Sequence, residues 1–291
     1  MSKYVPDIST RRWVIVSPQR IGRPEERDAA KKKKHCPFCE GHETETPPEI
    51  IRFGGGETDK PGWKVRIIPN KYTITDVHEV IIHSPFHDKD IEELPLDHVK
   101  LIFNAYRQRY NFYKKKGQVL IFCNHGEIAG ASLNHPHSQL VVIPSQINLE
   151  TLVREPINNI VSISKQFTVY CPDFSQWPYE VWIAPKKTES TFGDILDEEL
   201  AELALLLQSM LKRLVHIYQE HKITTQHFGY NYYIYHKENW YVRIIPRFVN
   251  RAGFELGTGL YVNIVDPVEA ALELRGVEKK MMGVLKKLKK Y

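Results

Sequence analysis

The 291-residue sequence has no run approaching the roughly 18 uninterrupted apolar residues that a membrane span requires, and its first residues, Met1 to Asp7, carry no apolar signal core. The expected setting is cytoplasmic. Cysteine is scarce: four residues in a chain long enough to bury a sizeable core, so no disulfide scaffold is needed. Charge of one sign is also scarce. Forty Lys and Arg against 35 Asp and Glu leave +5, much of it in Lys31 to Lys34 and in the tail after Glu278. That excess suits an anionic small molecule better than a nucleic-acid duplex, which needs a continuous basic face. With 42% hydrophobic and 26% charged residues the chain is neither disordered nor fibrous.

What is present reads as alternating strands and helices. Strand composition marks Arg12 to Ser17, Trp63 to Ile68, Glu79 to Ile82, Val119 to Phe122 and Gln139 to Ile143. Pro47, Pro48 and Gly54 to Gly56 mark a loop-rich stretch. Leu96 to Tyr113 has helical periodicity through Val99, Ile102, Phe103, Tyr106 and Tyr110. The same order then returns: Glu180 to Ile183, a helix over about Asp197 to Glu220, Tyr230 to Ile234 and Tyr241 to Ile245. Glu79-Val-Ile-Ile corresponds to Glu180-Val-Trp-Ile, and Val142-Ile-Pro144 to Ile244-Ile-Pro246, an offset of about a hundred residues. The expected fold is α+β: a duplicated unit with mostly antiparallel sheet flanked by helices, the strands of the two copies forming one sheet or packing together. The expected halves are 1–165 and 166–291. The Lys-rich tail, Val277 to Tyr291, is expected to be a terminal helix packed on the body.

The sharpest chemical signal is Gly130-Ala-Ser-Leu-Asn-His135-Pro-His137-Ser-Gln139, running into the apolar strand Leu140 to Ile143. In extended chain, residues i, i+2 and i+4 share a face, so His135, His137 and Gln139 converge while Pro136 and Ser138 turn away. Cys36-Pro-Phe-Cys39 offers two thiolates at zinc-knuckle spacing. A tetrahedral Zn²⁺ needs two further ligands, and His78, His83, His87 and His125 are candidates ahead of the His135 motif. A thioredoxin-like redox pair is the rival, and the helix that should open at the first cysteine is missing.

These motifs resemble those of the galactose-1-phosphate uridylyltransferase family, in the transferase branch of the histidine-triad superfamily. The resemblance runs through Arg11-Arg-Trp-Val-Ile-Val-Ser-Pro-Gln-Arg-Ile-Gly-Arg-Pro24, Cys36-Pro-Phe-Cys39, Pro69-Asn-Lys71, His78-Glu-Val-Ile-Ile82 and Ser84-Pro-Phe-His87. It continues in Asn124-x-Gly-x-x-Ala-Gly-Ala-Ser132, His135-Pro-His-Ser-Gln139 and Gly253-Phe-Glu-Leu-Gly-Thr-Gly259. It implies a double displacement in which a histidine takes a nucleotidyl group from a nucleoside diphosphate sugar and passes it to another phosphate.

By the same resemblance His137 matches the nucleophile, and Cys36, Cys39, His87 and His135 the ligands of one structural Zn²⁺. Gln139 stands where the hydrolase branch has a third histidine. Ser132 and Asn124 match groups near the phosphates, Asn70 one near the nucleoside, and Arg20 and Arg23 a pair receiving substrate phosphate. The second half has Tyr241 and Arg243 where many relatives carry metal-binding histidines, so no second metal is expected. The first activity implied is transfer from UDP-glucose to galactose 1-phosphate by a homodimer. Glu255 to Tyr261 resembles at least as much a plant-type ADP-glucose phosphorylase, which makes ADP-glucose with phosphate the alternative. A zinc-containing nucleic-acid-binding protein is remote, because a second Cys-x-x-Cys is absent. A nucleotide hydrolase is opposed by Gln139.

Overall fold

The structure, a computed structural model, describes residues 2–8, 12–22, 35–149, 152–221 and 228–276. The helix expected in the tail, the lysine run 31–34 and Arg23 lie outside the described residues.

Among the described residues, ten strands form one antiparallel sheet, and two more form a small separate one. The small sheet pairs β1 (Lys3–Asp7) with β2 (Arg12–Val16). The large sheet contains β3 (Ile51–Gly54), β4 (Trp63–Pro69), β5 (Val77–Ile82), β6 (Gln118–His125) and β7 (His137–Ile143) from the first half. The second half supplies β8 (Ile160–Ile163), β9 (Phe167–Tyr170), β10 (Val181–Pro185), β11 (Tyr230–Ile234) and β12 (Val242–Pro246). Their spatial order is β3-β4-β5-β7-β6-β11-β12-β10-β9-β8. Read from either edge toward the centre, the two sets of five have the same order, and they meet where β6 pairs with β11. The two copies therefore form one sheet. The second set begins at β8, so a boundary between 165 and 166 would cut the β8–β9 hairpin.

Helix α1 (Leu96–Tyr113) buries Val99, Ile102, Phe103, Tyr106 and Tyr110, the positions that carry its 3.6-residue period. Helix α2 (Asp197–His221) opens on three acidic residues that favour the positive end of its dipole, and buries Leu200, Leu203, Leu207, Leu211 and Leu214. The main core lies between these helices and one face of the sheet, filled from both halves by residues such as Ile81, Leu140, Val181 and Ile244. Two shorter helices, α3 (Gly253–Thr258) and α4 (Pro267–Leu274), follow β12.

Facing determines how the repeats correspond. Glu79 lies on the helix side, where its carboxylate takes Arg109 Nε at 2.9 Å and Tyr113 Oη at 2.7 Å. Glu180 lies on the other face, bonded to Arg243 Nε at 2.7 Å and Trp182 Nε1 at 2.7 Å. The match of Glu79 to Glu180 is thus one residue out of register, a slip that exchanges the two faces of a strand. Val80 opposes Gln139 and Trp182 opposes Arg243. The face-preserving correspondence is His78 with Glu180, His137 with Tyr241 and Gln139 with Arg243.

Candidate active site

The site lies on the sheet face opposite the helices, over β4, β5 and β7. The loop before β3 is tied down there by Arg66 of β4, which is 1% exposed and bonds Glu49 at 2.8 Å, Thr46 at 2.8 Å and Asp59 at 2.7 Å. Trp63 adds a bond to Glu43 at 2.7 Å. These buried bonds hold Glu45, Thr46 and Pro47 as one wall of a pocket completed by Pro37, Phe38, Ile68, Asn70, Tyr72, Val80, Ser132, His137 and Gln139.

Strand β7 alternates as the motif predicts. Ser138 turns to the core, where its hydroxyl meets Tyr106, Tyr232 and the buried His83. His137 and Gln139 face the pocket. His137 Nδ1 lies 2.8 Å from the backbone carbonyl of His135, so Nδ1 carries the proton and the lone pair is on Nε2. The Phe38 ring meets the His137 ring edge-on at a centroid distance of 5.3 Å. A second, smaller cavity is also lined by His137, together with Asn124, His125, Gly126, Asn134 and Tyr230.

The ligand atoms of Cys36, Cys39, His87 and His135 all lie within 4.8 Å of one another. Cys39 Sγ is 3.4 Å from His87 Nδ1 and 3.6 Å from His135 Nδ1. Tetrahedral zinc with its usual bond lengths separates sulfur from nitrogen by about 3.6 Å, so the donor set fits that ion. Its support fits too: His135 Nε2 is 2.8 Å from the Ser84 carbonyl, which places the ring proton there and the lone pair toward the cluster. Burial lowers the His135 pKa to about 4, keeping it neutral, and pushes the Cys36 thiol up to about 12 where no cation is present. Of the four candidate histidines only His87 joins the cluster. His83 is in the core network, His125 pairs with Asp90 at 2.9 Å, and His78 turns to Gln139. A second convergence, His35 with His42 and Glu45, lies on the solvent side of the same segment and escaped the sequence reading, which considered only histidines nearer the His135 motif.

The remaining residues are less concentrated. Ser132 and Asn70 line the pocket that His137 faces, and Asn124 lines the smaller cavity, its Oδ1 accepting from Asn231 Nδ2 at 2.8 Å. Arg20 is held at the edge by the Tyr72 carbonyl, 2.8 Å from its Nη1, and does not line the pocket. Sequence reasoning missed Phe38 as a contact of His137 and the Asp90–His125 pair beside the smaller cavity. The Cys-Pro-Phe-Cys motif itself carried the signal for Phe38, whereas Asp90 gave none.

Residues 73–143, from the turn before β5 to the end of β7, match the family model described as galactose-1-phosphate uridyl transferase, N-terminal domain. An ADP-glucose phosphorylase from Arabidopsis thaliana is 28% identical, the alignment covering 93% of this chain and 92% of that protein. A galactose-1-phosphate uridylyltransferase from Thermotoga maritima is 27% identical over 92% of this chain and 96% of its own length. The crystal structure of an Arabidopsis thaliana ADP-glucose phosphorylase with bound ADP-glucose superimposes with a TM-score of 0.72 at 27% identity, covering 96% of this chain and 100% of that one. No helix of the described residues is long and apolar enough to cross a membrane. With the shared sheet, the His-Pro-His-Ser-Gln strand and relatives matched along nearly their whole length, the chain is similar to galactose-1-phosphate uridylyltransferases and an ADP-glucose phosphorylase, which are nucleotidyltransferases.

Proposed function

We propose that the protein moves a nucleoside monophosphate from a nucleoside diphosphate hexose to a second phosphate through a covalent nucleotidyl-histidine at His137. The observation that carries this reading is the position of His137 in a wall shared by two cavities, with Nδ1 anchored on its own chain. Nε2 attacks the α-phosphorus, the bond from that phosphorus to the bridging oxygen breaks, and sugar 1-phosphate leaves with the electron pair. The acceptor's phosphate oxygen then attacks the same phosphorus and the N–P bond breaks. The His135 carbonyl stabilises the positive charge that develops on the imidazole in each half.

His135 joins the metal cluster to the chemistry. Its ring faces Cys39 while its carbonyl holds His137, so a bound Zn²⁺ would fix the backbone from which the nucleophile is aimed. Cys36, Cys39, His87 and His135 would hold the ion, which supplies rigidity. Gln139 offers an amide N–H to a non-bridging phosphate oxygen and cannot take a proton from water, which favours transfer over hydrolysis. Ser132 and Asn124, which line the two cavities, are assigned to the phosphates and Asn70 to the nucleoside; Arg20, together with Arg23 outside the described residues, is assigned to the outer phosphate.

UDP-glucose with galactose 1-phosphate is the first pairing, supported by the Thermotoga maritima relative. ADP-glucose with phosphate is the second, favoured by the likeness to the Arabidopsis thaliana phosphorylase along 93% of the chain. A homodimer is part of the reading, because Phe254, Leu256, Leu260, Val262 and Ile264 leave an apolar stretch exposed beyond β12. Incubation with each donor separately, without acceptor, followed by intact-protein mass measurement tests the proposal. The expected result is a nucleotidyl adduct from one donor, with sugar 1-phosphate released and the adduct absent in His137→Ala. No adduct from either donor, or one that persists in His137→Ala, overturns it.

A further inference from the structure

His78 sits on β5 with 4% of its surface exposed, two residues along from Val80, which directly opposes Gln139 on β7. The diagonal neighbour across an antiparallel pair is within reach of a long side chain. His78 Nε2 lies 2.9 Å from Gln139 Oε1. The other ring nitrogen, Nδ1, accepts the backbone N–H of Ile74 at 3.0 Å, so it must carry the lone pair. In a neutral imidazole the single proton is then on Nε2, and Nε2 donates to Gln139.

An amide has one acceptor end and one donor end. Because the Gln139 carbonyl oxygen is committed to His78, its NH₂ group is turned into the pocket that His137 lines. Asn70 extends the same logic. Its Oδ1 accepts Tyr72 N–H at 2.8 Å, which leaves Nδ2 3.1 Å from His78 Nε2. The one hydrogen on Nε2 already goes to Gln139, so this contact is the approach of two donors, and the Asn70 amide hydrogens too are left for a ligand in the pocket.

We infer that His78 is a positioning residue for nucleotidyl transfer: it fixes the amide of Gln139 with its N–H groups toward the phosphate. The inference rests on the nucleotidyl-histidine reading above. Were the Gln139 amide able to rotate, half of its orientations would present a carbonyl oxygen to a phosphate oxygen, a repulsive contact in place of a stabilising one. Held by His78, the donor is already in place before the transition state forms, where such donors act most strongly.

The test is a double-mutant cycle on wild type, His78→Leu, Gln139→Ala and the double variant, with His78→Gln as the conservative replacement and zinc content and thermal melting followed throughout. Removal of a single preorganised donor commonly costs about a hundredfold or more in kcat, so His78→Leu is expected to lose roughly ten- to a hundredfold in kcat with a smaller change in donor KM. In the Gln139→Ala background the same change is expected to cost less than about threefold, because the group it acts through is gone. His78→Gln, which can place an N–H near the position of Nε2, is expected to recover most of the rate. Equal losses in both backgrounds, or a His78→Gln variant no better than His78→Leu, overturn the inference. If His78→Leu does not fold, histidine nitrogen NMR on the wild type decides: His78 protonated on Nε2 supports the inference, and protonation on Nδ1 overturns it. Failure of the wild type to form any nucleotidyl adduct would instead sink the functional reading, so the two failures are distinguishable.

Discussion

On the first half of the sheet, His78 of β5 reaches Gln139 of β7 across a diagonal. On the second, Glu180 reaches Arg243 across the same diagonal of β10 and β12, with Glu180 standing one residue before β10. The first pair is neutral and borders a pocket. The second is a buried charge pair, 0% and 7% exposed at the side chains, roofed by the Trp182 ring stacked on Tyr241 at 4.0 Å. Tyr241 itself occupies the register position of His137. One copy of the unit thus keeps an open face lined by polar side chains, while the other fills that face with aromatic rings. A duplicated fold needs only one chemical centre, and the spare copy is free to supply packing and the central strand pairing of β11 with β6.

The sharpest way to break this comparison is to remove one ring from each half at the shared position. His137→Ala is expected to lower nucleotidyl transfer by on the order of 10⁴- to 10⁶-fold, as deletion of a nucleophile does, with folding and metal content nearly intact. Tyr241→Ala is expected to cost roughly 3 to 5 kcal/mol of stability and to leave the adduct-forming step in place. Near-normal transfer by His137→Ala would end the assignment of roles. Loss of adduct formation in a folded Tyr241→Ala protein would show that the second half does more than pack.

Metal removal separates the halves at a larger scale. Binding of structural Zn²⁺ is linked to folding and can supply about 10 kcal/mol or more at neutral pH, so Cys39→Ser or chelation is expected to lower both zinc content and stability. The loss should concentrate in the first half. Amide hydrogen exchange is expected to speed up in β4, β5 and β7 well before β9, β10 and β12. Uniform acceleration across all ten strands, or no zinc in carefully prepared protein, would count against the cluster's assigned place.

Arg243→Leu tests the plug. It leaves the Glu180 carboxylate buried without its partner, and breaking such a pair typically costs about 3 to 5 kcal/mol. Urea titration is the measurement, and a loss under about 1 kcal/mol would mean that water reaches Glu180.

The comparison also explains what the sequence could and could not reveal. The periodicity of α1 is strong enough that its span was legible from Leu96 to Tyr113, and most strands of the large sheet were legible to within three residues at each end. β3 was missed because its four residues, Ile51–Gly54, follow Pro48 closely and end in the glycine run 54–56, a stretch that reads as loop, and β8 and β9 because each is only four residues long. The one-residue error in matching Glu79 to Glu180 arose because composition repeats without reporting which way a side chain faces. In the site, the alternation of His135, His137 and Gln139 was local and therefore legible. The choice of His87 among four histidines needed the family resemblance, since the cluster joins segments 48 and 96 residues from Cys39. The link between His78 and Gln139 depends on strand register, which no local pattern reports.

The smallest expected effect lies at the seam, where the two halves share a buried acid. Glu92, from the segment before α1, is 7% exposed and lies 3.3 Å from the Tyr230 hydroxyl on β11. Burial, helped by the nearby Asp90 charge, raises its pKa from 4.5 to about 7. Below about pH 4.5 the carboxyl is protonated in folded and unfolded chains alike. Between 4.5 and 7 the unfolded chain gives up the proton while the folded protein keeps it, so the folded state binds more protons and stability falls as pH rises. Above about 7 both forms are ionised and the loss levels off, at on the order of 3 kcal/mol. Glu92→Gln keeps the shape and an acceptor for Tyr230 but has nothing to ionise. The variant is therefore expected to match wild type near pH 4.5 and to become progressively more stable than wild type toward pH 8. Stability measured by urea titration across that range decides it: parallel curves for the two proteins would mean that Glu92 is already solvated at the seam, and that the junction of β6 with β11 is looser than the core of either half.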